Sequence, residues 1–159
     1  TDMHVELSNT QIILANCLGI PLAHFAISWL CEQIPRRVFH RPLPPSGTPN
    51  PIFKRLFMVH HWQQLLPDAA PWFSGFPKAH LTSLDEGYLR RFIAETRRGE
   101  LAHWLQWLVI SSFIIWNPFP ANLIILSYAV LLNLPCLLNL RHTRQRLIAL
   151  LLRRTRTSN

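Results

Sequence analysis

Between Glu6 and Glu32, and again between Glu100 and Arg141, the chain carries no Asp, Glu, Lys or Arg. The first gap contains the mostly apolar stretch 12–31, and the second holds the 40 uncharged residues 101–140. A membrane helix needs about 20 apolar residues to cover a hydrocarbon core roughly 30 Å thick. The first gap therefore fits one crossing. The second fits two, folded back at the Asn-Pro-Phe-Pro-Ala-Asn run of 117–122, where two prolines remove backbone donors and favour a turn.

The charges agree and give an orientation. Of the 16 Lys and Arg, ten fall between Arg36 and Arg98 and six between Arg141 and Arg156. With three crossings both blocks lie on one side, while the N-terminal tail and the 117–122 turn carry neither residue. The positive-inside rule places the blocks and the C-terminus in the cytoplasm and the N-terminus outside. The expectation is an all-α integral membrane protein: three transmembrane helices plus interfacial and cytoplasmic helices. It forms a single membrane domain over 1–159, with spans at about 10–33, 101–117 and 122–140, a cytoplasmic segment 34–100 and a basic C-terminal helix 141–156.

Mean hydropathy is only +0.13, because about half of the chain is polar cytoplasmic material. The net charge of +8 points to anionic headgroups or a phosphorylated cytosolic substrate rather than nucleic acid. Cys17, Cys31 and Cys136 match no zinc spacing, and an odd count is a poor disulfide framework. They read as small packing residues, and neither a metal nor a bound cofactor is expected. The tail has no basic n-region before Ile12, so the first span reads as retained. Asn16, Gly19, Pro21 and His24 make it more polar than an anchor needs, which suggests packing against protein, with a kink at Pro21.

Residues 35–51 are proline-rich and read as an irregular connector. Residues 52–66 mix bulky apolar and basic side chains, as in a short interfacial helix or one packed on the cytoplasmic domain. Residues 67–80 read as a loop with aromatic contacts. Ser83 and Glu86 have capping-box spacing, and a helix starting there continues past Gly99 into the second span. Arg141 to Arg156 reads as a basic helix lying on an anionic surface.

The densest polar constellation is Glu95-Thr96-Arg97-Arg98-Gly99-Glu100-Leu101-Ala102-His103-Trp104. Glu100 and His103 are three apart and share a helix face, as do Glu95 and Arg98. A carboxylate beside an imidazole fixes its tautomer and raises its basicity, which suits a general base for a hydroxyl. The alternative is an interfacial ion-pair cluster that anchors the helix. A histidine and two glutamates at the mouth of a span are costly to keep there, which makes them functional candidates. No G-x-S-x-G elbow and no phosphate-binding glycine loop occurs. His60-His61 lacks the further histidines of a di-iron site. His24, alone in a span, reads as packed rather than as a ligand.

Three runs carry a resemblance: Lys78-Ala79-His80-Leu81, then Tyr88-Leu89-x-x-Phe92, then Glu95-Thr96-x-Arg98-x-Glu100-x-x-His103-Trp104. Tyr128-Ala129, Asn133-x-Pro135 and Arg141-x-x-Arg144-x-Arg146 extend it. Over roughly 52–150 the chain resembles the glycosyl-4,4'-diaponeurosporenoate acyltransferases, small membrane proteins that acylate a glycosylated carotenoid. It departs where the family pattern Gln-Arg-Tyr-Asn-Arg reads Leu140-Arg141-His142-Thr143-Arg144 here.

The resemblance implies transfer of a fatty acyl group from an acyl-CoA co-substrate to a sugar hydroxyl of a glycosylated carotenoid or related glycolipid, at a bacterial cell membrane. In that chemistry His103 takes the hydroxyl proton, and Glu100, with Glu95, orients and charge-balances it. Arg98, Arg141, Arg144 and Arg146, with Lys78, hold donor phosphates or the oxyanion. Asn133 bonds the sugar or another helix. The partners are membrane lipids, anionic headgroups and the acceptor. The competing reading is a non-catalytic accessory subunit of a larger, pigment-binding membrane complex, with membrane-protein partners.

Overall fold

The computed structural model describes residues 7–44 and 81–157, and all regular structure there is helical. The interfacial helix expected at 52–66, the aromatic loop at 67–80 and Lys78 lie outside the described residues.

Helix α1 spans Asn9–Gln33. Ser8 caps it: its hydroxyl accepts the Gln11 N–H at 3.3 Å, and the Gln11 side chain accepts the Ser8 N–H at 2.9 Å. This capping box satisfies two of the orphan groups at the helix start. Pro21 stands inside the helix without ending it. The helix stops where Ile34, ahead of Pro35, turns extended at φ −68°, ψ 125°. A 3₁₀ turn at Arg36–Phe39 follows and buries Phe39.

Helix α2, Glu86–Ser111, is continuous through Gly99. Its cap is Asp85, whose carboxylate accepts the Tyr88 N–H at 3.2 Å. The capping box expected from Ser83 and Glu86 does not form. Ser83 instead accepts the Asp85 N–H at 3.1 Å, so it holds the capping residue rather than the helix. A 3₁₀ turn, Ser112–Ile115, ends the hairpin arm.

Helix α3, Ala121–Thr157, runs 37 residues, about 55 Å at 1.5 Å per residue. Pro135 lies within it. The basic segment 141–156 is therefore not a separate element laid on a surface. It extends the apolar segment, because Leu147, Ile148 and Leu151 have a partner in Leu89, Phe92 and Ile93 of α2.

α2 and α3 run antiparallel, and their core is split. One apolar cluster joins the start of α2 to the end of α3 through those six residues. The other joins Ile110 and Phe113 to Ile125 and Ala129 beside the turn. Between them lies a polar layer: Glu95, Thr96, Arg98, Gln106, Asn133 and His142 are all buried. α1 packs across α2, and a Cβ on Gly19 would meet the Phe113 ring at 3.0 Å. Asn16 and Asn117 exchange two side-chain hydrogen bonds, 2.7 and 3.0 Å, pinning α1 to the end of the hairpin.

Among the described residues, two helices, α1 and α3, are long and apolar enough to cross a membrane. Both expose large apolar side chains, such as Leu18 at 67% and Leu131 at 73%. The apolar part of α2 is shorter. Leu101 to Ser111 plus the 3₁₀ turn cover about 24 Å, less than the roughly 30 Å of a hydrocarbon core. On α2 the exposed large apolar residues begin at Trp104, and on α3 they end at Leu134.

Candidate active site between α2 and α3

Glu95 and Glu100 are five residues apart, which turns them about 140° around the α2 axis. They face different neighbours. Glu95 is 1% exposed and faces α1. Arg98 reaches it at 3.0 and 3.2 Å, and Arg36 approaches to 3.3 Å. Arg98 also binds Glu32 at 2.8 Å and the Ile34 carbonyl at 2.9 Å, and lies 5.6 Å above the Phe39 ring. This node staples the end of α1 and the following turn onto α2. Glu95 and Arg98, expected as an acid–base residue and a substrate contact, stand instead in a buried clamp. Along the helix, Glu95 is eight residues, about 12 Å, from His103.

Glu100 faces α3. Arg141 donates to one of its oxygens through Nε at 2.6 Å, and Arg144 to the other through Nη1 at 2.5 Å. Burial pushes the Glu100 carboxyl up, but the hydrogen bonds and charges of Arg144 and Arg141 outweigh it and hold it below its ordinary value. The arginines expected to need an anion at the end of the span thus have one inside the protein. Arg146, the third of that set, is exposed.

His103 is one turn further along, about 60° around from Glu100 and on the same side. The hydrogen bond that sets its ring comes from α3: Nδ1 lies 3.0 Å from Oδ1 of Asn133. Asn133 is fully buried, and its amide N–H donates to the Ala129 carbonyl at 2.9 Å. That bond fixes which way the amide points. Oδ1 therefore accepts from His103, Nδ1 carries the hydrogen, and Nε2 keeps the lone pair of the neutral ring. Glu100, expected as the orienting partner, is taken up by two guanidiniums. The orienting residue is Asn133, which sequence reasoning placed on the sugar or between helices. The one sequence signal for it was an asparagine inside an uncharged span.

Arg141 lies over the Trp104 ring at 5.9 Å, and Trp104 stacks on Trp107 at 5.2 Å. Deeper in the bundle, Gln106 donates to Ser28 of α1 at 3.0 Å, and the Tyr128 hydroxyl stands 3.4 Å from His24 Nε2. His24 is therefore a packed, hydrogen-bonded histidine. The site is an imidazole with a defined lone pair, bounded by cations on the charged side and by aromatic and apolar surface on the other.

A family model described as glycosyl-4,4'-diaponeurosporenoate acyltransferase matches residues 35–153. The chain belongs to this family. The glycosyl-4,4'-diaponeurosporenoate acyltransferase of Staphylococcus haemolyticus (strain JCSC1435) is 32% identical over 97 residues, 60% of this chain and 56% of the relative. That of Staphylococcus aureus (strain USA300) is 29% identical over 103 residues, 63% of this chain and 61% of the relative. The chain thus spans less than two thirds of the length of these relatives. No solved structure matches. In this glycosyl-4,4'-diaponeurosporenoate acyltransferase family member, the matched segment contains α2, the His103–Asn133 pair, Glu100 and its two arginines. α1, with Asn16, Ser28 and Glu32, precedes it.

Proposed function

We propose that the chain transfers a fatty acyl group from a coenzyme A thioester to a sugar hydroxyl of a glycosylated carotenoid or related glycolipid, with His103 as general base. The observation that carries this reading is the tautomer of His103. In the neutral ring Asn133 puts the hydrogen on Nδ1 and the lone pair on Nε2, at the level where exposed apolar surface gives way to charge. A membrane-embedded acceptor and a water-soluble donor meet only at such a boundary.

In the reaction, Nε2 takes the proton of the sugar hydroxyl as its oxygen attacks the thioester carbonyl. The oxyanion that forms lies near Arg141, which uses Nε for Glu100 and is 43% exposed, so its terminal nitrogens are available to it. Collapse breaks the C–S bond, the imidazolium returns the proton to the thiolate, and the ester and free thiol leave. Glu100 is a positioning residue: it holds Arg141 and Arg144 against α2. The membrane arrangement belongs to the same proposal. The hairpin of α2 and α3 and helix α1 cross the bilayer three times, N-terminus outside and C-terminus in the cytoplasm. The short apolar part of α2 is accommodated by packing against the other two helices.

The test is reconstitution in vesicles with a glycosylated carotenoid and a long-chain acyl-CoA, reading acylated product by mass spectrometry. Product from the wild-type chain and its absence with His103→Ala are expected. A wild-type protein that makes no ester from any glycolipid acceptor overturns the reading. For topology, a Ser8→Cys variant lacking the three native cysteines should react with an impermeant reagent from outside the cell.

A further inference from the structure

A second cationic site lies where the chain after the 3₁₀ turn packs on α2. Arg90, Ile93, Ala94 and Arg97 fall at i, i+3, i+4 and i+7, one face of a helix. The chain leaving the 3₁₀ turn crosses this face and borders a half-open pocket of about 20 Å³, room for one small polar group. Its floor is apolar, from Phe39, Leu43 and Ile93, and its walls are His40, Arg41, Arg90 and Arg97.

The charges around it do not balance. Glu95 and Glu32 are taken by Arg98 and Arg36, and Glu100 by Arg141 and Arg144. Arg90 pairs with Glu86 at 2.7 Å on the exposed rim. Among the described residues, Arg41 and Arg97 have no carboxylate at ion-pair distance. Arg97 is held in place nonetheless: it donates to the Phe39 carbonyl at 2.8 Å. Burial, then the neighbouring charges of Arg144 and Arg41, hold its guanidinium below its ordinary range against the pull of Glu100. Mutually repelling donors with no carboxylate at ion-pair distance among the described residues gain from a bound anion.

We propose that this pocket binds a phosphate group of the acyl donor, at the end of the donor remote from the thioester. The identity of the ligand rests on the acyl-transfer reading; the anion site does not. Distance favours a tethered phosphate. Arg97 is six residues and Arg90 thirteen residues from His103, about 9 and 20 Å along α2. A phosphate there cannot be part of the reacting group, but a nucleotide joined to the thioester by a pantetheine arm spans such a gap. A lipid headgroup is the other source of the same chemistry. It fits less well. The exposed apolar surface of α2 begins at Trp104, so the pocket lies about 10–21 Å beyond it, past a headgroup layer of roughly 5–7 Å.

The test is equilibrium binding to the full chain in zwitterionic nanodiscs, with coenzyme A and adenosine 3',5'-bisphosphate as probes. A parallel arm uses vesicles with and without phosphatidylglycerol. Both nucleotides should bind, and Arg97→Gln should weaken each about tenfold. Because Arg97 also holds the 39–43 segment, Arg41→Gln, on an exposed side chain with no such bond, is the second variant and should lose about as much. Arg37→Gln, exposed and outside the pocket, controls for general charge. Nucleotide binding unchanged in both pocket variants overturns the proposal. So does a loss seen only on anionic vesicles, which assigns the site to a headgroup. Nucleotide binding through Arg41 in a protein that never forms ester leaves the site standing and removes the acyl-transfer reading. Turnover with an unaltered donor KM in Arg41→Gln does the reverse.

Discussion

Glu95 and Glu100 stand on the same helix, each paired with two arginines, yet they do different work. Glu95 is 1% exposed and its partners come from α2 itself and the turn after α1, while Arg98 extends the node to Glu32. Every charge there is answered by another, and removing Glu95 leaves buried Arg98 without its nearest carboxylate. Glu100 joins α2 to α3 through Arg141 and Arg144, of which Arg141 is half-open to solvent. One node closes the fold and the other borders a site. Burial and the angular step along α2 make the difference, since the residue types are the same.

The largest expected effect lies on the open side. His103→Ala should lower acyl transfer by about 10²–10⁴-fold, the usual cost of losing a general base, in a protein that still folds and inserts. A variant of full activity would place the base elsewhere. On the closed side, Glu95→Ala leaves Arg98 buried without its nearest carboxylate. It should destabilise the protein by about 3–5 kcal/mol, read as loss of folded protein in a thermal or denaturant titration. Glu95→Ala protein that remains as stable as wild type would show that the two nodes do not differ as described.

Asn133→Leu separates orientation from basicity. It removes the acceptor that keeps the hydrogen on Nδ1, and the loss of that hydrogen bond should cost about tenfold in kcat, with KM for the donor little changed. The expected pH–rate profile shifts with it, which a purely structural defect would not cause.

The smallest effect is on Glu100. Its carboxyl is held below the ordinary value in the folded protein, so it contributes stability above the unfolded-state pKa and loses it as pH falls through the folded one. Glu100→Gln should therefore be less stable than wild type by about 1 kcal/mol at neutral pH, solvent around Arg141 screening the pair. The two proteins should converge in acid, below the usual carboxylate range. A gap that persists at low pH would mean that Glu100 acts through packing rather than charge.

Much of this was legible in the sequence. The charge-free gaps mark the two apolar helices, the 117–122 prolines mark the turn, and the charge block before Leu101 marks the polar end of α2. Helical spacing correctly grouped Glu95 with Arg98. For Glu100 and His103 a shared face says only that two side chains point the same way. A third residue on a neighbouring helix competes for each. Arg141 and Arg144 bind the carboxylate, and buried Asn133 bonds the imidazole. Likewise Ser83 had the right spacing to cap α2, but Asp85, nearer the first turn, does so.

The sequence by itself determined which stretches are apolar and which residues share a helix face. Those follow from local geometry and from the cost of placing charge in hydrocarbon. The register of α2 against α3, the crossing of α1 and the path of the chain past Phe39 were decided by tertiary structure alone. They depend on contacts between residues dozens of positions apart, such as Leu89 with Leu151 and Asn16 with Asn117. Only that register turns His103 and Asn133, thirty residues apart, into one site, and brings Arg41 and Arg97 together with no ion-pair carboxylate among the described residues.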